Sequence, residues 1–310
     1  MKRCNICPHE CNIDNSICGQ KPLYDKEDEI ISTAVAIDPV EKKPLYHFMP
    51  ASKTLSIGTL GCNLRCLNCQ NHEIAQPAPN SPVRTEVLTA EGIVHLAQKY
   101  GLKSISWTYN ECSIHPQWII KTSQLAQKHD IKTILVTNGY TSRTTLDNLA
   151  EYVDAVNVDL KSMNDDFYLK VCSGKLEPVL DSIRYYHENN IHTEVTNLLI
   201  PGYNDKDEDT LKVVEFIHSL SENIPLHFSA FYPQYKLSNL PATKDESVLN
   251  ACKIALNSGL KYVYAGNIYS SDFDNTYCSN CKKEVIKRDY YNTTDYTVNG
   301  YCPECNKKIY

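Results

Sequence analysis

No stretch of this 310-residue sequence is apolar for long enough to cross a bilayer, and its first residues, MKRCNICPHE, lack the apolar core of a secretory signal. A membrane protein and an exported protein are therefore not expected, and the chain reads as cytoplasmic. Basic excess is missing as well. The formal charge is −6 and the sequence pI about 5.9, so no basic face is offered to a polyanion and nucleic acid is a poor partner.

What the sequence has in quantity is cysteine, 14 in all. In a small secreted chain that number would predict disulfides; at this length and with these spacings it predicts reduced, metal-binding thiols. Cys4, Cys7, Cys11 and Cys18 read C-x2-C-P-x2-C-x6-C in a segment too poor in periodic apolar residues to bury a core. A metal must hold that segment together, with zinc and a second iron–sulfur cluster equally compatible with four thiolates. His9 could replace one thiolate, although a solvated histidine is the simpler reading. Cys278, Cys281, Cys302 and Cys305 read C-x2-C-x20-C-x2-C, two hooks that preorganise a tetrahedral zinc site in a ribbon-like module. Between residues 270 and 310 six Lys and Arg balance six Asp and Glu, so the module gains no nucleic-acid role and reads as a lid or a partner-docking element. Cys252 belongs to an apolar helix stripe, and Cys112 and Cys172 belong to no set.

The remaining three, Cys62, Cys66 and Cys69, stand as C-x3-C-x2-C within GCNLRCLNCQN, residues 61–71. They suit three corners of a four-iron cube whose last iron keeps no protein ligand. Clusters that only carry electrons usually have four thiolates, so an open iron points to a small molecule bound there. The alternatives are a zinc site completed by His72, or buried thiols with no metal.

From residue 53 the chain alternates strands and amphipathic helices. Strands are expected at 54–58, 104–109, 132–137, 154–160, 193–199 and 226–231, with 261–266 as a possible extension. Thr89 with Glu91 caps a helix that Gly101 ends, and Thr243 with Glu246 makes a capping box ahead of Val248, Leu249, Cys252 and Leu256, closed by Gly259. Six such units imply a parallel sheet curved into a partial barrel, whose chemistry gathers at the carboxyl ends of the strands. The polar words TYNE (108–111), TNG (137–139), DLK (159–161), LIPGYND (199–205) and FYPQY (231–235) all fall on that rim. Residues 28–50, broken by Pro39, Pro44 and Pro50, read as a strand or two and a loop packed on the main domain.

The C-x3-C-x2-C loop after a strand resembles the radical S-adenosylmethionine (SAM) superfamily. The run EKKPLYHFMPASKTLSIGTLGCNLRCLNCQN, residues 41–71, is similar to the "AmmeMemoRadiSam system" radical SAM enzymes, relatives of the activating enzyme of pyruvate formate-lyase. The resemblance implies that Tyr109, Asn110 and Glu111 occupy the place of a Gly-Gly-Glu motif that holds the SAM amine, and that Asn138 and Lys161 contact its ribose and carboxylate. The charges suit this, since Glu111 or Asn110 can accept from the amine and Lys161 can face the carboxylate. A turn at TNG and a surface ion pair at DLK are the plainer alternatives. Relatives commonly have an aromatic where Asn68 stands and Pro where Cys112 stands. Of a cation site known in the activases only Asp159 matches, with Val136 and Gln234 or Tyr235 at the other places, so that cation is not expected.

The expectation is an α/β fold: an N-terminal Cys-rich segment and extension (1–50), a partial (β/α)6 radical SAM barrel (51–268) and a C-terminal zinc ribbon (269–310). Its function is that of a radical SAM oxidoreductase-type enzyme that cleaves SAM at a 4Fe-4S cluster to a 5′-deoxyadenosyl radical for hydrogen abstraction. The resemblance adds a flavodoxin- or ferredoxin-like reductant and AMME-type and MEMO-type companions. The alternatives are an activase that installs a glycyl radical and, from another class, a multi-metal electron-transfer or scaffold protein. The two cysteine modules are expected to fold over the barrel mouth.

Overall fold

Short, nearly all-apolar strands separated by amphipathic helices leave the chain one economical solution, a parallel sheet covered by helices. The computed structural model describes residues 3–19, 28–77 and 82–310. Strand β1 (Ile30–Ser32) is followed by β2 (Ala34–Pro39) and β3 (Lys53–Gly58), and β4 (Glu86–Leu88) pairs back on β1. The repeating part continues with β5 (Ser104–Trp107), β6 (Lys132–Thr137), β7 (Ala155–Asp159), β8 (His192–Leu199), β9 (Leu226–Ala230) and β10 (Val263–Gly266). Spatial order is β10-β9-β8-β7-β6-β5-β3-β2, every pairing parallel except β2 with β3. The six expected strands are present, and the 261–266 run supplies a seventh parallel one. The strand expected at 104–109 stops at Trp107, because Tyr109 takes a left-handed φ of 76° that no strand accommodates.

Helix starts follow local chemistry. Thr89 caps Ala90–Lys99 by accepting from the Gly92 amide at 3.1 Å, and Ser142 caps Arg143–Leu149. The capping box expected at Thr243 does not form: the helix begins at Asp245 without a side-chain cap. Thr243 is buried and its hydroxyl instead accepts from the Phe231 amide and donates to the Leu199 carbonyl, joining the ends of β8 and β9. A hydroxyl with two buried backbone partners is worth more there than at an exposed helix end.

The face of the sheet turned away from the helices is polar. Ser56, Ser106, Asn157, Glu194, Thr196 and His227 lie on it and are buried. Near the amino ends of the strands it is closed by the extension. Val40 and Leu45 pack on Ile134 and Ala155, Asn157 donates to the Pro44 carbonyl at 2.7 Å, and Glu194 accepts from the amides of Tyr46 and His47. His192 and His227 complete the ring of donors around Glu194 and hold its carboxyl below the usual range despite burial.

The C-terminal module has its own small core of Val285, Ile286 and Ile309 around Cys278 and Cys302. It is built on β11 (Thr276–Tyr277), β12 (Glu284–Asp289) and β13 (Asn292–Asp295). It does not cover the barrel mouth. Arg288 donates to the Tyr46 carbonyl at 2.8 Å and lies 4.0 Å over its ring, His47 Nδ1 meets the Ile309 carbonyl at 3.0 Å, and Tyr264 Oη meets Thr276 Oγ1 at 2.8 Å. These partners sit at the floor, where the strands begin. Among the described residues no helix is long and apolar enough to cross a membrane.

Candidate functional site

Residues 61–71 leave the end of β3 as an irregular loop, so its backbone groups need partners from elsewhere. The Arg65 and Leu67 amides donate to the carbonyls of Cys172 and Val171 at 2.8 and 2.9 Å. Those carbonyls belong to a π-helical turn, Tyr168–Cys172, terminated by Ser173 at φ 59°, the kind of irregular turn that recurs at functional sites. Gly61 donates to Ile74, Leu67 accepts from Lys236, and Gln76 Nε2 donates to the Cys66 carbonyl at 3.1 Å. Gly174 must lack a side chain, because a Cβ there would stand 2.5 Å from Leu64 Cδ2. The three cysteines are thus mounted on a fixed loop, not a free one.

The sulfurs have donors aimed at them. The Leu64 amide lies 3.4 Å and Asn138 Nδ2 3.6 Å from Cys62 Sγ. Burial pushes the free thiols of Cys62 and Cys69 up, as expected for sulfurs that need a cation before they ionise. Cys66 goes the other way. Cys172 stands close enough to hydrogen-bond it and Lys161 adds positive charge, so Cys66 is lowered while Cys172 is raised.

The rim words converge as expected in position, with specific tasks. Asn110 accepts from the Thr59 amide at 2.9 Å and donates to the Gly61 carbonyl at 2.6 Å, pinning the loop to β5. Tyr109 lends its carbonyl to Asn71 Nδ2 at 2.6 Å, and its hydroxyl donates to Asp38. Glu111 is buried, and its carboxylate accepts from the Ser113 amide (3.0 Å), Thr137 Oγ1 (2.7 Å) and the Asn138 amide (2.7 Å). Three of about four lone-pair sites are therefore held by the chain itself, and burial still raises its pKa against those bonds. Asn138 bridges onward to Asn63 Oδ1 at 2.9 Å. Lys161 Nζ lies 3.1 Å from Asp159; burial lowers its pKa, but Asp159 and the thiols of Cys66 and Cys172 outweigh it. Asn204 of the LIPGYND word ties its loop to the Lys161 carbonyl at 2.7 Å.

Three buried polar atoms have no hydrogen-bond partner where the loop meets the FYPQY turn: Asn68 Oδ1, His72 Nδ1 and Gln234 Oε1. His72 stacks on Tyr235 with centroids 4.3 Å apart, which brings it against the residue that follows Gln234. Orphaned groups of this kind fit a place meant for a polar ligand. Among the described residues, Cys62, Cys66 and Cys69 are not in a group of three or more ligand atoms set to hold one metal ion. A single zinc ion completed by His72 gains no support from that, whereas a cube holds its thiolates well apart because each caps a different iron. The residues present fit the cluster and leave polar groups for its ligand.

The C-terminal set differs. Cys278, Cys281, Cys302 and Cys305 have all four sulfurs within 4.8 Å, with Cys278–Cys305 at 3.5 Å and Cys281–Cys302 at 3.6 Å, close to the ~3.8 Å edge of a zinc tetrathiolate. Cys4, Cys7, Cys11 and Cys18 share a loop at the rim. His9 there is half-buried and not solvated, and Nε2 meets the Asn63 carbonyl at 2.8 Å. Cys112 and Cys252 are core side chains, their sulfurs 3.9 Å from the Val136 carbonyl and 3.6 Å from the Tyr264 carbonyl. Sequence reasoning missed Cys172 beside Cys66 and Asp38 beneath Tyr109. Neither has a motif, and only the π turn and the β2–β3 pairing bring them in.

Comparison with known proteins agrees with this geometry. The family model of the Radical SAM superfamily matches residues 56–214. An uncharacterized protein, MJ0808, of Methanocaldococcus jannaschii is 38% identical over 99% of this chain and 94% of its own. The pyruvate formate-lyase 1-activating enzyme of Escherichia coli strain K12 is 25% identical over 66% of this chain and 89% of its own. Among solved structures, a radical SAM methyltransferase from Sphaerobacter thermophilus superposes with a TM-score of 0.53 at 15% identity, covering 70% of this chain and 67% of that one, a likeness of fold.

Proposed function

The chain belongs to the radical SAM superfamily, and from that premise we propose that Cys62, Cys66 and Cys69 hold a 4Fe-4S cluster whose fourth iron takes SAM, for hydrogen abstraction from a substrate. The cluster, when bound, supplies one electron to the sulfonium, whose bond to C5′ breaks to give methionine and a 5′-deoxyadenosyl radical. The chain's own residues position and enclose. Lys161 faces the SAM carboxylate, Asn138 holds the Cys62 side of the loop next to the ribose, and Tyr109 and Asn110 line the amine end. Glu111 braces β5 against β6 and keeps Asn138 in place. The observation that carries this reading is the three-thiol loop held fixed by its backbone partners, with the unpartnered buried polar atoms of Asn68 and His72 on or next to it.

The run 41–71 supports a place among the AmmeMemoRadiSam-type enzymes, with AMME-type and MEMO-type proteins as companions, an oxidoreductase-type reaction and a cytoplasmic setting that keeps the thiols reduced. Zinc is the ion we assign to Cys278, Cys281, Cys302 and Cys305. A second reading, a glycyl-radical activase, draws on the identity with the E. coli activating enzyme. The test is anaerobic: reconstituted protein with strong reductant should convert SAM into methionine and 5′-deoxyadenosine, and changing Cys62, Cys66 and Cys69 together to Ala should abolish it. No cleavage by well-reconstituted protein sinks the proposal. A persistent glycyl doublet on a large partner selects the activase.

A further inference from the structure

Tyr109 stands just past the end of β5 with φ at 76°, in the left-handed region that glycine fills freely and a ring-bearing residue resists. Such a residue persists where its surroundings over-determine it, and it marks a place where position matters. Its backbone surroundings do so here. The Thr108 amide donates to the Ile57 carbonyl at 3.0 Å, and the Tyr109 carbonyl accepts from Asn71 Nδ2 at 2.6 Å. Next along the chain, Asn110 accepts from the Thr59 amide and donates to the Gly61 carbonyl. The 109–110 turn is thus bonded to both ends of the cysteine loop, to Thr59 and Gly61 ahead of Cys62 and to Asn71 after Cys69.

The side chain turns away from that loop, toward the wall of the barrel. Its ring lies against Gly58 at the end of β3, where a Cβ would stand 2.9 Å from Tyr109 Cδ2, so a larger residue there would push the ring aside. Lys43 Nζ lies 4.9 Å from the ring centroid, and the hydroxyl donates to Asp38 Oδ2 at 2.8 Å. That carboxylate is a fixed post. It is buried, Lys42 Nζ, Lys43 Nζ and Ser56 Oγ each donate to it at 2.8 Å, and its strand β2 is paired with β3 from Ala34 to Pro39. Removing the phenol hydroxyl would leave those three donors in place, so the loss would fall on the Tyr109 side of the bond.

We propose that Tyr109 is a positioning residue for the cysteine loop: its phenol, anchored on Asp38, holds the left-handed 109–110 turn, and that turn sets both ends of residues 61–71 and with them the three thiols. The proposal rests on the radical SAM reading above, and it gives the tyrosine side chain to the barrel wall while the backbone of the turn faces the amine end. The hydroxyl is the part that acts. A phenylalanine ring packs on Gly58 equally well but has nothing to donate to Asp38. A glycine relaxes the backbone and cuts the anchor. Strain and anchor are therefore separable by substitution, and the proposal assigns the work to the anchor.

Two variants of the full chain, Tyr109→Phe and Tyr109→Gly, test it in two states. In reduced protein reconstituted without iron, amide hydrogen exchange reads the loop directly. The amides of Thr59, bonded to Asn110, and of Gly61, bonded to Ile74, should exchange about tenfold faster in the Phe variant than in the parent, the equivalent of one hydrogen bond to a charged group. Those of Val156 in β7 and Val195 in β8 should keep the parent's protection and report an intact barrel. The Gly variant should loosen the same two loop amides as much, although its backbone is relieved. In protein reconstituted with the cluster, both variants should bind SAM about tenfold more weakly at equal iron content, read from the SAM-induced change in the electron resonance spectrum. Parent-like protection of Thr59 and Gly61 in the Phe variant overturns the anchor, and so does a Gly variant that matches the parent in both measurements. Protection lost equally in β7 and β8 makes Tyr109 a prop of the whole barrel and refutes a positioning role. A parent protein that takes no SAM sinks the function proposed above, and exchange at Thr59 and Gly61 still decides the anchor.

Discussion

Glu111 offers the sharpest test of the site, because its motif position suggests a contact with SAM while its hydrogen bonds serve the chain. In Glu111→Ala the Ser113 amide, Thr137 Oγ1 and the Asn138 amide lose their acceptor inside a buried pocket. Each stranded donor costs about 1–3 kcal/mol. Relief of a buried charge offsets part of that sum, leaving about 3–6 kcal/mol, a large share of the ~5–15 kcal/mol that holds a domain together. At roughly 2 °C per kcal/mol for a chain of this size, the melting temperature should fall by about 6–12 °C. Glu111→Gln keeps an oxygen for Ser113 and Thr137 but turns an amide nitrogen toward the Asn138 N–H, so it should cost only about 1–3 kcal/mol. It should bind SAM within about threefold of the parent. The assay pairs anaerobic thermal unfolding with equilibrium SAM binding on reconstituted protein. A Gln variant that melts like the parent yet binds SAM tenfold more weakly, a change of about 1.4 kcal/mol, refutes the brace and returns the carboxylate to the ligand.

Lys161→Ala should weaken SAM binding by about 10- to 100-fold, the equivalent of one charged contact worth ~1.5–3 kcal/mol; unchanged binding removes Lys161 from the site. Asp38 is held below the usual carboxylate range because hydrogen bonds from Lys42, Lys43 and Ser56 outweigh its burial. Its contribution is complete above the unfolded value of about 4 and drains away as the pH falls below that toward the depressed value. Asp38→Asn should flatten the acid limb of a stability-versus-pH curve while costing about 3–5 kcal/mol near neutrality, since Lys43 is left buried without its partner. An acid limb as steep as the parent's assigns the titration elsewhere. Metal analysis of the Cys62, Cys66 and Cys69 triple variant should find one zinc per chain, and changing Cys278 and Cys302 to Ser should remove it; iron and sulfide at that position would make the ribbon a redox module.

Much of this was legible before any coordinates. Strands β5 and β7 are short and buried on both faces, and the polar words that follow them could only lie at their ends, so the rim assembled itself on paper. The ribbon's cysteine spacing likewise predicted its cage. Other features escaped because they depend on partners remote in sequence. Glu194 accepts from Tyr46 148 residues away, and nothing near either residue announces it. Cys172 reaches Cys66 only because Tyr168–Cys172 winds as a π turn, which no periodicity encodes. Thr243 looked like a helix cap by pattern; tertiary partners claimed its hydroxyl first. The ribbon's location misled for the same reason, since spacing specifies a fold's hooks and says nothing of the surface they rest on.

The contact between His47 and the carbonyl of Ile309 spans 262 residues, and it sets an order of assembly. The cysteine loop at 61–71 and the strands up to β9 leave the ribosome long before residue 309 exists. A nascent barrel can therefore fold its rim and seat the extension across its floor first, while the outer cover of that floor waits for the last residues to be made and for the ribbon to fold. Chains cut short of the ribbon would expose Tyr46, His47 and Tyr264. Such chains would be apt to stick to one another before they failed at chemistry.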